Sequence, residues 1–201
     1  NKETKETVLY GVGDQHIDVI VNKMKAKYKV EVNLTTPQVA YRETIKKTVI
    51  GEGRHKKQSG GHGQFGHVFV EFSYNPEQED MVFEETVFGG AVPKNYFPAV
   101  ETGLRECMTK GFLAGYKVVN VKANLKDGKY HDVDSSEMAF KLAAHLSYKD
   151  AMPKAGCILL EPINEVQIVI PEDYTGAVMG DITKRRGQMQ SMDMVGNSQV
   201  I

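Results

Sequence analysis

His131 stands between Tyr130 and Asp132, three residues before Asp134, and three kinds of chemistry are open to it. As a zinc ligand it would need a second His or Cys at ligand spacing. His145 lies beyond a helix start and Cys107 and Cys157 are remote, so the pattern argues against a metal site. As a general acid or base it would need an orienting carboxylate, which Asp132 or Asp134 could supply, and a substrate pocket, which neither could. The third chemistry is contact, an imidazole at an exposed tip touching a polar partner, beside the plainer reading that His131 pads a turn.

A second group precedes it. Gly61, Gly63 and Gly66 satisfy G-x-G-x-x-G, but a dinucleotide fingerprint must follow a strand and open a helix, and here Val68 to Phe72 continue as strand. A protein kinase would also need its lysine and its H-R-D and D-F-G loops, which this sequence lacks. More informative is charge. No acidic residue occurs from Gly53 to Val70, while Arg54, Lys56 and Lys57 are joined by His55, His62 and His67. Such a segment is either a hairpin kept soluble by its lysines or a finger that meets phosphates, its glycines letting backbone N–H groups approach closely. Lys184, Arg185 and Arg186 form another cationic run, either a helix end favourable to the local dipole or a phosphate anchor.

These residues need elements to hold them. Asp127-Gly128 is a strong two-residue turn signal. Asp134 with Glu137 three residues on reads as an N-cap and its reciprocal partner, ahead of the apolar series Met138, Leu142 and Leu146. Tyr130 to Val133 would then sit between a hairpin and a helix start. Elsewhere the expected order is strand 7–10, a helix with Ile17, Ile20, Val21 and Met24 on one face, and strand 29–33. A strand at 39–47, a long hairpin through 54–72 and a strand at 81–87 follow. Next come a helix from Pro93 to Gly111, a strand at 118–125, a helix from Ser135 to about Met152, a strand at 164–170, a helix entered at Pro171 and ending near Met179-Gly180, and a strand-like stretch after Gly187.

The 201 residues, 41% of them hydrophobic, suffice for real cores in one large or two small domains, and a net charge of −1 means that any polyanion must be gripped by local patches. Two cysteines inside apolar stretches fit buried, reduced thiols of a cytoplasmic protein. The methionines at 138, 152, 179, 189, 192 and 194 are expected to fill cores and seams. No apolar run approaches a membrane span. Asn1 and Ile201 both read as cuts through structure.

Taken in order, Pro37 to Thr44 (PQVAYRET), Gly60 to Val68 (GGHGQFGHV), Gly89 to Lys94 (GGAVPK) and Asp127 to Lys141 resemble elongation factor G, the ribosomal translocase, over essentially the whole chain. The resemblance implies an α+β protein: residues 1–35 as the end of domain III, 36–158 as domain IV and 159–201 as the first half of domain V. Domains III and V would be partial ferredoxin-like folds, and domain IV an α/β sandwich, ribosomal-protein-like, with a left-handed β-α-β crossover. It further implies a non-catalytic, ribosome-binding arm. Two tip loops, Ser59, Gly60, Gly61, His62, Gly63 and Gln64 with Tyr130, His131 and Asp132, would reach the decoding site, supported by Arg54, Lys56 and Lys57. Lys184 to Arg186 would face large-subunit rRNA. Partners would be ribosome, tRNA and mRNA, the chain a monomer, with no metal or cofactor of its own; GTP and Mg would belong to the parent's GTPase domain. His62 and Phe65 depart from the family's usual G-G-R-G-Q-Y-G, replacing a guanidinium by an imidazole, so a paralogue acting in recycling or drug protection is the alternative, and a small enzyme using His131 the outside one.

Overall fold

Near the N-terminus the expected helix forms as α1 (Asp14–Lys23), prolonged by a π turn over Met24–Tyr28, in a computed structural model that describes residues 4, 6–58, 61 and 63–201. Neither flanking strand forms. Residues 7–10 and 29–33 have no ladder partner, and no residue of α1 is buried. Alternation alone does not make a strand; a neighbouring strand must satisfy its backbone, and this segment holds too little apolar surface to recruit one.

The chain then builds a four-stranded sheet. A short β1 (Arg42–Thr44) leads into β2 (Val49–Lys57) and β3 (Gln64–Tyr74), which pair antiparallel from Val49↔Phe72 to Lys57↔Gln64. β4 (Val82–Glu85) runs parallel to β5 (Val121–Lys129), and parallel neighbours require a crossover, here α2 (Phe97–Lys110). The strand order is β2-β3-β5-β4. After α3 (Glu137–Ala151), β6 (Ile158–Leu160) returns to pair antiparallel with β1, so the chain stays with this first compact unit, Asn1–Pro162.

α2 and α3 cover one face of the sheet. Val68, Val70, Phe72, Val121, Ala123 and Leu125 point into the core they share with Val100, Leu104 and Phe140. The buried face of α3 is not the expected one: Met138 and Leu146 are exposed, and Ala139, Ala143, Ala144, Ser147 and Ala151 turn inward instead. The reason lies on the sheet. Gly51 and Gly53 present bare backbone to α3, and a Cβ on Gly66 would stand 2.7 Å from the Ala139 carbonyl oxygen. Helix and sheet approach too closely for leucine, and the Ser147 hydroxyl donates to the Gly51 carbonyl at 2.9 Å across the seam. Of the named methionines only Met152 is fully buried.

Glu43 on β1 is the other organising residue. It is 1% exposed, yet its carboxylate accepts from the backbone N–H groups of Phe112 (2.6 Å), Leu113 (2.8 Å), Ala114 (2.8 Å) and Tyr116 (3.1 Å). Burial pushes this carboxyl up, but the backbone donors outweigh it and hold it below its ordinary value. Tyr148 is less well served. Its buried hydroxyl has no hydrogen-bond partner among the described residues, while Phe72 and Phe112 meet its ring edge-on. Desolvation drives its phenol far above the usual range. Tyr148→Phe should therefore be neutral or raise stability by about 1 kcal/mol, because the orphaned group is removed while the ring stays. A urea midpoint well below the parent's would reveal an acceptor for that hydroxyl. Cys107 and Cys157 are partly exposed rather than buried; burial still raises both thiols, Cys107 to about 11, which keeps them protonated.

The second unit, Ile163–Ile201, has a three-stranded antiparallel sheet. β7 (Val169–Pro171) and β8 (Asp193–Val195) both pair with β9 (Ser198–Val200). Strand β7 is shorter than the expected 164–170. Pro171 does precede helical structure, a 3-10 turn and then α4 (Thr175–Lys184). That helix runs past Met179-Gly180, since helical glycine weakens a helix without ending it.

Candidate nucleic-acid interface

β3 begins where the antiparallel β5 ends, and the segment that enters β3 is tied by named bonds to the segment that leaves β5. Asp134 does most of this. Its carboxylate Oδ1 accepts from Gly63 N–H at 2.9 Å, and its carbonyl accepts from Phe65 N–H at 2.8 Å. Ser135 adds a second tie, its hydroxyl donating to the Phe65 carbonyl at 2.9 Å while accepting from His131 N–H at 2.9 Å. The segment entering β3 and the His131 loop are therefore joined at one edge of the first unit.

Two sequence expectations are corrected here. Asp127-Gly128 is no hairpin turn: β5 runs on to Lys129, with a bulge that places Asp127 opposite Phe69 but Leu125 opposite Val70. Gly128 sits there because a side chain would collide with the His67 carbonyl and Val92. Asp134 is not the N-cap of α3. Ser136 caps that helix, accepting from Ala139 N–H at 3.2 Å, which leaves the Asp134 carboxylate free to reach across to Gly63. Ser, Asp and Asn are near-equivalent caps, so sequence alone could not separate Asp134 from Ser136.

His131 is exposed, and its Nδ1 accepts from the backbone N–H of Val133 (3.3 Å) and Asp134 (3.2 Å). A nitrogen that accepts carries no proton, so the neutral ring is the Nε2–H tautomer, its donor facing outward. Asp134 Oδ2 lies 3.7 Å from the same nitrogen. The Phe65 ring meets the imidazole edge-on at 6.5 Å between centroids. Lys56, Lys57, Gln58, Gln64, Phe65, His131 and Asp134 surround a shallow hollow of about 250 Å³. It sets two lysines and two glutamine amides around the same hollow as the imidazole.

Of the expected tip residues, Gly61, Gly63, Gln64, Tyr130, His131 and Asp132 share this end, Gly61 with a φ of +100°. Ser59, Gly60 and His62 lie outside the described residues. Arg54, Lys56 and Lys57 are exposed on β2. The acid-free stretch of sequence is not acid-free in space: buried His67 bonds Glu52 Oε1 through Nε2 at 2.8 Å, and His55 Nε2 lies 2.9 Å from Gln64 Oε1. Both imidazoles serve the hairpin rather than a ligand. Phe65, Ser135 and the strut role of Asp134 are what sequence reasoning missed; the bridging pairs are about seventy residues apart. Lys184, Arg185 and Arg186 are exposed at the end of α4 in the second unit, where Arg185 Nε pairs with Asp181 Oδ2 at 2.8 Å.

Among the described residues no group of three His, Cys, Asp or Glu side chains is arranged to hold a metal ion, and no helix is long and apolar enough to cross a membrane. Three family models match in succession: elongation factor G domain III over residues 1–36, domain IV over 37–156, and the elongation factor G C-terminus over 158–201. A crystal structure of a Thermus thermophilus protein superposes with a TM-score of 0.90 at 41% identity, covering 99% of this chain. The chain spans 30% of the length of that structure. With family models matched along almost its whole length, this α+β chain belongs to the elongation factor G family of translation elongation factors.

Proposed function

We propose that this chain is the RNA-contacting arm of a translational GTPase that promotes movement of tRNA and mRNA on the ribosome. The observation that carries the reading is the Asp134 strut, which ties the glycine loop to the His131 loop and leaves the imidazole exposed beside them. Such an end suits a polyanion: glycines let backbone N–H groups come close, and the cations of β2 stand behind them. In this reading the end formed by Ser59 to Gln64 and Tyr130 to Asp132 enters the small-subunit decoding site, and its occupancy blocks backward movement of tRNA. Lys184 to Arg186 face large-subunit rRNA. The arm does no bond chemistry and needs no cofactor; GTP and Mg belong to the GTPase portion of the parent, which works as a monomer in the cytoplasm. Residues 36–158 would act as the inserting body, with 1–35 and 159–201 joining it to flanking domains.

His131→Ala in the full-length parent is expected to slow single-turnover translocation about tenfold, the equivalent of one lost hydrogen bond, and to leave GTP hydrolysis unchanged. Translocation at the parental rate would remove the tip from the mechanism. Replacing the housekeeping factor with the parent in a purified translation system separates translocation from a recycling or drug-protection role, in which elongation would not be supported.

A further inference from the structure

Ion pairing divides the face of the four-stranded sheet that α2 and α3 leave uncovered. Away from the tip its lysines are neutralised, Lys122 by Glu84 at 3.3 Å and Lys126 by Glu71 at 3.2 Å. Toward the tip, Arg54, Lys56 and Lys129 are exposed and form no ion pair among the described residues. Register puts them together. Arg54 is opposite His67 and His67 opposite Lys129, so two cations flank an imidazole bonded to Glu52 in one row across β2, β3 and β5. Lys56 is opposite Phe65 in the next row outward, and Phe65 adjoins His131. The row behind carries Glu52 and Asp127 on either side of Phe69, which closes the strip on its inner side.

Cations that form no ion pair among the described residues, carried on β2 and β5 to either side of β3 and set beside a flat ring, match phosphates with an unpaired base between them rather than the packed edges of a duplex. We infer that this uncovered face, at its tip end, is a track for single-stranded RNA, with Arg54, Lys56 and Lys129 on successive phosphates and the Phe65 ring under one base. The inference rests on the RNA-contacting reading above and extends it from the loops onto the sheet; Lys129 and Phe65 are its new residues. An acidic protein segment would satisfy the charges but not the ring.

The test is fluorescence anisotropy of the 201-residue chain with a labelled oligouridylate of about 12 nucleotides over a salt series, a length that a single-strand site can span. Arg54→Glu, Lys56→Glu and Lys129→Glu should each weaken binding at low salt at least about fivefold and flatten the slope of log K against log salt by about 0.7. Phe65→Leu, which keeps apolar volume but loses the ring, should weaken binding about tenfold at unchanged slope. Lys149→Glu on α3, with the same charge change on the helix layer, should bind like the parent. Absence of binding, a silent Lys129→Glu, an equal loss from Lys149→Glu, or competition by polyglutamate as strong as by unlabelled RNA would each overturn the track. If that happens while His131→Ala still slows translocation, the tip reading survives and only its extension onto the sheet is lost.

Discussion

Glu43→Ala should destabilise the first unit by about 4 kcal/mol or more, read as a lowered urea midpoint at unchanged m-value. Four backbone N–H groups in the 112–116 segment donate to this one carboxylate. Without it each becomes an orphan, and an unsatisfied buried donor costs about 1–3 kcal/mol. Water will recover part of that for the outer donors, which is why the expected loss is below the simple sum. The backbone of the same residue anchors a junction: Glu43 N–H donates to the Lys117 carbonyl at 3.0 Å and Val119 N–H to the Glu43 carbonyl at 2.8 Å, so the segment between α2 and β5 hangs on this residue from both sides. Glu43→Gln should lie between parent and alanine variant, because an amide keeps one oxygen but turns its NH2 toward two donors. The pH dependence follows from a folded-state carboxyl held below its ordinary value. Its contribution is full above the unfolded value of about 4.3 and disappears as pH falls through the lower folded value, so the gap between parent and Glu43→Gln should narrow only in acid. A gap that persists undiminished below both values would mean that charge is not what Glu43 contributes.

Gly53→Ala is the second large effect, expected at about 3 kcal/mol, or a fall in Tm of roughly 6–12 °C for a domain of this size by calorimetry. The new methyl would overlap the Ala143 carbonyl oxygen and lie 2.5 Å from Ser147 N, both rigid backbone atoms of α3. Relief requires α3 to lift from β2, which would also stretch the Ser147 hydroxyl bond to Gly51. Gly13→Ala is the contrast: its φ is −178° and nothing lies within 4 Å of the added carbon, so it should change stability by no more than about 0.5 kcal/mol. Equal effects at the two positions would show that lost glycine entropy, not contact, is being measured.

Much of this arrangement was legible in residues alone. The returning strand expected at 68–72, the helix entered after Pro93 and stopped at Gly111, and the helix before Pro153 each carry a local cause (alternation, a fixed φ, a missing N–H), whereas the strand expected at 39–47 shrinks to Arg42–Thr44 and the hairpin's first arm is Val49–Lys57. The misses are those in which the deciding partner is distant. Asp134 looks like a cap because caps are judged from the next few residues, whereas its partner Gly63 is 71 residues away. Met138 and Leu146 look like the inner face of α3 because leucine usually outranks alanine for burial; the glycines of β2 and β3 that reverse this are on another element. Asp127-Gly128 has turn chemistry but serves a bulge, where glycine is needed for space rather than for a positive φ. The strands expected at 7–10 and 29–33 fail for want of a neighbour. The two loops were set side by side on family resemblance; the physical tie from Gly63 to Asp134, a carboxylate on a backbone N–H, has no sequence signature.

The seam between α3 and the glycines beneath it has a mechanical corollary. Interfaces made of long side chains yield under load because rotamers can hop, but where bare backbone lies against alanine there is no such compliance. Force applied at His131 passes through Ser135 and Ser136 into the start of that helix and from there to the sheet with little damping. The sheet and α3 should therefore move together as one stiff body.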